Sequence, residues 1–459
     1  MRTIDRDTAR RFMLSHHGLR QNVRAVSPAA AVRKLLARAR HIQLDPLDVV
    51  GTNADLVAMA RIDGLAKGDV YRHLMPKHAF EHFAKERCLL PAEAFARYRE
   101  RSTEPTETTW WNTASRLERL TPELIAAVLE AVRTHGPLTA AELEKHGAWG
   151  KVEALDWSGW KGTARAASMA LEVLWTRCEV VVAGRVAGAR GVKLWDLPER
   201  ALGKHAAPAR ADTSAGTEQD FVAGKRSKGF AFSVGPPPHS LRQAGLGALF
   251  ASGFAAWALT ERARASGLLA RASGPWWSTL AATRKGPLPD ALVAAGVLEA
   301  VAIEGVRGAY LAPRGFLDTK EAADDGRMRI LAPLDAFLWD RKLVHAIFGF
   351  DYLWEVYKPA AQRRWGYYVC PLLHRGALVG RFEGRVVPSA THADAREPRG
   401  QPRRAPAGAS AAFANELTVV GLWPEPGQRF ERAAFKDAFV RHAAQLGVRA
   451  ARIPAHAGR

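Results

Sequence analysis

A glutamine and a carboxylate two residues apart, Gln43 and Asp45, are the pair in this chain whose types and spacing best suit chemistry at a sugar carbon. In an extended segment successive side chains point to opposite faces. HIQLDPLDVV is therefore expected to bury Ile42 and Leu44 and to project Gln43 and Asp45 together from the other face. An amide beside a carboxylate can hold a water molecule and accept its proton, and the carboxylate stabilises positive charge developing on a sugar. N-glycosidic hydrolysis needs both, because its transition state resembles an oxocarbenium ion. A plainer reading competes. Asp45 precedes Pro46, and an Asp ahead of a proline at the first helical position is a common helix cap. These residues alone favour the cap, although a cap uses one carboxylate oxygen and leaves the other for chemistry.

Other chemistries lack their signatures. There is no Walker motif, no G-x-G-x-x-G after a strand and no G-x-S-x-G elbow. Cys88, Cys178 and Cys370 lie far apart, without a C-x-x-C or a His at ligand spacing, so neither a zinc site nor a disulfide framework is expected. The lack of a clustered acidic or His site argues against a metal-dependent nuclease. The N-terminal MRTIDRDTARRFML is charged where a signal peptide is apolar. No run approaches the roughly 20 apolar residues of a membrane helix, so a soluble cytoplasmic protein is expected.

Helices and strands must hold the pair in place. Ala9, Phe12 and Met13 recur at helical spacing, and Ser27-Pro28 opens a helix with Val32, Leu35 and Leu36 on its apolar face. ADLVAMARI and HAFEHFAKERCLLP both read as helical. Thr121-Pro122 starts a further helix, and Thr139 with Glu142 forms a candidate capping box for the next. A third helix runs roughly from residue 162 to 177, and EVVVAGR and GVKLWDL read as paired strands. Three helices followed by a hairpin is the order of a winged helix, which binds DNA in some proteins and other proteins elsewhere. PDALVAAGVLEAVAIEGVRGAYLAP suggests a weaker copy, after an Ala/Gly/Pro/Ser-rich linker or insertion at 203–240. From about residue 330 the pattern is β-rich, with a hairpin turning at Arg375-Gly376, a basic loop near 388–410, the strand LTVVGLW and a terminal helix from about 431 to 446.

Charge points to the partner. With 66 Lys+Arg against 46 Asp+Glu the net charge is +20, a field that attracts polyanions, although an Arg- and Ala-rich composition also produces it. WGKVEALDWSGWKGTAR interleaves Trp157 and Trp160 with Lys151, Lys161 and Arg165, as a backbone-gripping segment does. The tryptophans serve a core equally well, so the three basic residues are the better candidates. Arg363 and Arg364, beside Trp365, offer a second patch. Against this stands the ordinary fate of surface Lys and Arg, which is simple solvation. His16-His17 reads as a helix-end pair.

HIQLDPLDVV, then ADLVAMARI and FEHFAKERCLLP, resemble the opening of the YcaQ/AlkZ-type winged-helix DNA glycosylases. APLDAFLWDRKLVHAIFGFDYLWEVYKPAAQRRWGYYVCPLLHRGALVGRFEG is similar to that family's C-terminal region, and LTVVGLWPEPG to its close. The resemblance covers most of 1–200 and 327–430. It implies an α+β fold, mainly α, of tandem winged-helix modules with a C-terminal β-rich domain around a concave DNA channel. The corresponding partition is 1–118, 119–202, 203–326 and 327–459. It also implies monofunctional hydrolysis of alkylated purines, with possible substrates extending to interstrand crosslinks, by Asp45 and Gln43 without metal or organic cofactor. Double-stranded DNA carrying alkylated bases or crosslinks is the implied partner, with a monomeric, nucleoid-associated enzyme expected. Asp at the third motif position places the chain with the YcaQ-like branch. The chain departs from the family at His82-Phe83-Ala84-Lys85, where Tyr-Trp-Ala-His is usual, so no role passes to it from the family His. Residues 203–285 also match poorly. The rival expectation is a non-catalytic winged-helix regulator or accessory protein, in which Asp45 only caps a helix.

Overall fold

The computed structural model describes residues 1–103, 116–155, 161–186, 191–207, 253–318, 321–389 and 415–454. Helix and strand are mixed throughout. The start signals in the sequence are used as expected: Ser27 accepts from the Ala30 amide to open Pro28–Ala39, and Thr121 accepts from Leu124 to open Pro122–His135. Thr139 and Glu142 form both bonds of a capping box at Ala140–Leu143. The terminal helix is Arg432–Leu446. Trp157, Trp160, most of 203–240 and the basic loop lie outside the described residues.

Three expectations are corrected. HAFEHFAKERCLLP is not a helix but an antiparallel hairpin, Ala79–Phe83 with Arg87–Pro91. Its two faces are both buried. Phe80, Cys88 and Leu90 enter one core cluster while Ala79 and Leu89 enter another, so no polar–apolar alternation marks the strands. The helix expected from residue 162 begins at Ala166. The preceding residues pair instead, Lys151–Leu155 with Lys161–Arg165. Finally, no helix begins at Pro46. The next one is Asn53–Met59, capped by Thr52, and residues 44–52 form an irregular loop whose Val50 carbonyl is bonded by His442 Nε2 at 2.8 Å.

The motif strand Ile42–Gln43 extends the central hairpin into a three-stranded sheet, with Ile42 opposite Leu89 and Gln43 opposite Cys88. A five-stranded C-terminal sheet runs Arg329–Ile330, Val369–His374, Ala377–Pro388, Asn415–Pro424 and Arg449–Ala450, antiparallel except for the last pair. Its expected turn has Arg375 and Gly376 at φ +48° and +78°, the left-handed pair of a two-residue hairpin loop. A third sheet pairs Arg2–Ile4 with Leu298–Ile303, and that strand with Ala309–Pro313 and then Leu269–Ala270.

These sheets share cores rather than standing alone. One apolar cluster joins Val32, Ile42, Val50 and Leu89 to Cys370, Phe382, Phe435 and Phe439, so the motif loop rests on the C-terminal sheet and helix. Another joins Phe12 and Leu14 to Val301, Phe337 and Phe350. Buried Glu81 ties the central hairpin to the segment after it. Tyr71 donates to it at 2.6 Å, and Arg185 makes bonds of 3.0 and 2.7 Å. Trp175 Nε1 donates to the Glu81 carbonyl at 2.8 Å.

Candidate active site

The backbone of the Gln-x-Asp motif is held from two sides. The Leu44 amide donates to the Arg87 carbonyl at 2.8 Å, continuing the ladder of the central hairpin. Asn53 Nδ2 donates to the Gln43 carbonyl at 2.8 Å, while Asn53 Oδ1 accepts from the Leu334 amide at 3.0 Å. One buried side chain thus clamps the motif to the 334 loop. Behind that loop, Arg61 and Asp335 form a buried bidentate pair at 2.7 and 2.9 Å, and Arg61 Nε reaches the His17 carbonyl at 2.7 Å.

Asp45 does not cap a helix. Its Oδ1 accepts from the Leu47 amide at 2.9 Å, the two-residue reach of an Asx turn. Asp45 is half-buried, and burial raises its pKa against the lowering effect of that one bond. No cation neutralises it among the described residues. Asp48, by contrast, is salt-bridged to Lys67 Nζ at 2.7 Å. Gln43 is only 6% exposed. Ile42 and Leu44 pack on the apolar core as the expected alternation requires, but Gln43 is not exposed in exchange: the residues around Arg61 and Asp335 enclose it.

Two tyrosines that sequence reasoning missed share the electrostatic environment of Asp45. Tyr368 is 1% exposed, and its hydroxyl has no hydrogen-bond partner among the described residues. Its pKa is raised well above the usual value, first by burial and then by the neighbouring ionisable groups of Cys370 and Asp45. Tyr357 is 77% exposed, and its phenol is raised first by partial desolvation and then by Asp45 and Glu86. The loop carrying both is fixed by two carboxylates. Glu355 accepts from the Arg364 and Trp365 amides at 3.0 and 2.8 Å, and Glu383 from the Tyr367 and Tyr368 amides at 2.8 and 3.1 Å. Nothing in the local sequence of WGYYVC marks one tyrosine as the buried neighbour of a residue over 300 positions away.

The basic candidates fall into two groups. Arg363 and Arg364 sit on that same clamped loop, Arg364 exposed and Arg363 half-buried with Nε on the Lys358 carbonyl at 2.9 Å. Neither has an acidic partner among the described residues. Lys151 and Arg165 are exposed and directly opposite each other across the Lys151–Leu155/Lys161–Arg165 hairpin. Like charges in that position are unfavourable unless an anion lies over them. Lys161 stands at the other end of the hairpin, opposite Leu155. At the departure from the family pattern, His82 is buried between Tyr98 and Trp175, its pKa lowered to about 3 mainly by burial. Lys85 lies 5.1 Å over the Trp339 ring, its pKa lowered by burial.

A family model described as DNA glycosylase AlkZ-like matches residues 36–423. Among solved structures, the chain is similar to the Streptomyces sahachiroi DNA glycosylase AlkZ, with a TM-score of 0.53 and 16% sequence identity, over 99% of this chain and 100% of that one. At that identity the likeness speaks for the fold.

Proposed function

The chain belongs to the AlkZ-like DNA glycosylase family, and from that premise we propose that it hydrolyses the N-glycosidic bond of alkylated purines in double-stranded DNA. The carrying observation is Asp45: half-buried, without a neutralising cation among the described residues, and shifted upward in pKa. A carboxylate poised this way is a better proton acceptor than an exposed one. Asp45 orients and deprotonates the attacking water and stabilises the sugar cation as the base leaves. Gln43 fixes the position of the water or the deoxyribose. Alkylation on the imidazole side of guanine leaves the base cationic, so it departs with little general-acid help, and no cofactor enters the scheme. Crosslinks through the same guanine atom present the same cationic leaving group and belong to the substrate range we propose.

The DNA is gripped through phosphates. Arg363 and Arg364 on the loop beside Asp45, and Lys151, Lys161 and Arg165 on the hairpin, supply the cations. The helices Pro122–His135, Ala140–Leu143 and Ala166–Thr176, with the strands Val181–Arg185 and Lys193–Asp196, have the order of a winged helix, and we assign them that role. We take the enzyme to act as a monomer among the cell's DNA. No described helix is long and apolar enough to cross a membrane.

The regulator reading requires Asp45 to be a structural cap, and Asp45 closes a turn at which no helix starts. The test is release of modified base from an alkylated duplex, followed by alkali to cleave abasic sites. Cleaved strands are expected with purified protein. Tight binding without any cleavage, on a simple N7-alkylguanine and on a nitrogen-mustard crosslink alike, would return the protein to the regulator class.

A further inference from the structure

A cavity of about 20 Å³ lies directly behind Gln43, bounded by His16, His17, Arg38, His41, Arg61 and Asp335 among others. Most of the polar side chains around it are already bonded. His16 and His17 use Nε2 on the carbonyls of Arg264 and Ser266, at 2.7 and 3.2 Å. Arg38 is bonded to the carbonyls of Ser15 and His16, and Arg61 to Asp335. Two are not. Gln43 Oε1 and His41 Nδ1 are buried without a partner, and neither side chain has any hydrogen bond among the described residues. His41 is 5% exposed, and its ring is tilted 71° to the Trp276 ring at 6.0 Å between centroids. Leaving two such groups unpaired is costly. A cavity of this size holds one water molecule, and two polar side chains facing it are what such a water needs.

We propose that one ordered water bridges the Gln43 amide and the His41 imidazole, and that His41 is thereby a positioning residue for Gln43. The water donates to Gln43 Oε1 and completes its bonding at a ring nitrogen of His41. Both buried polar groups are then satisfied, and the amide, which otherwise has no contact to select between its two orientations, is fixed in one. The ring is suited to this because burial and the neighbouring Arg262 and Arg40 hold it neutral, leaving one nitrogen to donate and one to accept. The water site stands on the cavity alone, while the positioning role rests on the glycosylase reading above.

Two measurements test it on the full-length protein. A crystal structure at high resolution is expected to show a single density peak within about 3 Å of both side chains. An empty cavity, or a Gln43 amide bonded directly to protein, overturns the proposal. In base-release kinetics His41→Leu is expected to lower kcat about tenfold with KM for DNA unchanged, one hydrogen bond's worth. His41→Gln, which keeps a polar group at the cavity, is expected to restore most of it. Wild-type turnover in His41→Leu, or loss in both variants with unfolding excluded by circular dichroism, removes the positioning role. A wild type that releases no base contradicts the glycosylase reading alone, because the density still decides the water.

Discussion

Asp45 is in a place that does not suit its charge, as the catalytic role proposed for it requires. Its folded pKa lies above its ordinary value because of burial. The native state therefore holds the proton more tightly than the unfolded chain does. Whatever the group contributes to stability is present at low pH and is lost as pH rises through the raised value. At neutral pH the ionised carboxylate is a small liability, offset only by the Leu47 amide. Asp45→Asn keeps an oxygen for that amide and removes the charge. The variant is expected to melt at the same temperature as the wild type or higher at pH 7, and a clear drop would show that the carboxylate has a structural role after all. The sequence made this residue visible but not its state. An Asp before Pro looks the same whether a helix or an Asx turn follows, and the loop that does follow is held from far along the chain, its Val50 carbonyl bonded by His442. Gln43 was legible as half of a pair, and its burial was not, because the residues that enclose it come from positions 16, 61 and 335.

At the scale of elements, Asn53 links the motif strand to the 334 loop through two hydrogen bonds to buried backbone. Asn53→Ala leaves one donor and one acceptor unpaired. It is expected to cost about 2–4 kcal/mol in a denaturant titration and to lower base release by loosening the motif, whereas an unchanged midpoint would mean the clamp is dispensable. Elements with caps were legible: Ser27, Thr121 and the Thr139–Glu142 box each start a helix where local chemistry says one should. The central hairpin was not. Its strands face apolar clusters on both sides, so the pattern that separates strand from helix is erased. Arg185 and Tyr71 hold its Glu81 from 104 and 10 residues away, and nothing in the strands themselves announces either partner. The short strand Arg2–Ile4, which adds to Leu298–Ile303, was invisible for the same reason.

The whole molecule carries a net charge of +20, and the account places part of that charge on DNA phosphates. The logarithm of affinity is expected to fall linearly with the logarithm of salt, by about 0.9 per phosphate contact. Replacing Arg363 and Arg364 together by Ala should flatten that slope by about two units, with little loss of thermal stability, since neither is salt-bridged among the described residues. An unchanged slope would take the loop out of the interface. The global fold also has an acid weakness. Burial lowers the pKa of His16 and His442 to about 4 and of His82 to about 3. Unfolded, each takes a proton near the ordinary imidazole value of 6.5; folded, each stays neutral until far lower pH. The stability they lend is complete above 6.5 and declines as pH falls from there toward 4. Melting temperature should accordingly begin to drop below pH 6.5, well before carboxylates titrate, and a flat profile to pH 5 would contradict it. Single-turnover release of N7-methylguanine from a duplex by wild type and Asp45→Asn, followed across pH with DNA affinity measured beside it, decides whether Asp45 does the chemistry. Release by the wild type is expected on an acid limb lying above the ordinary carboxylate range, with a loss of about 10²- to 10⁴-fold in the variant at equal affinity. Equal release by the two proteins would place the chemistry elsewhere.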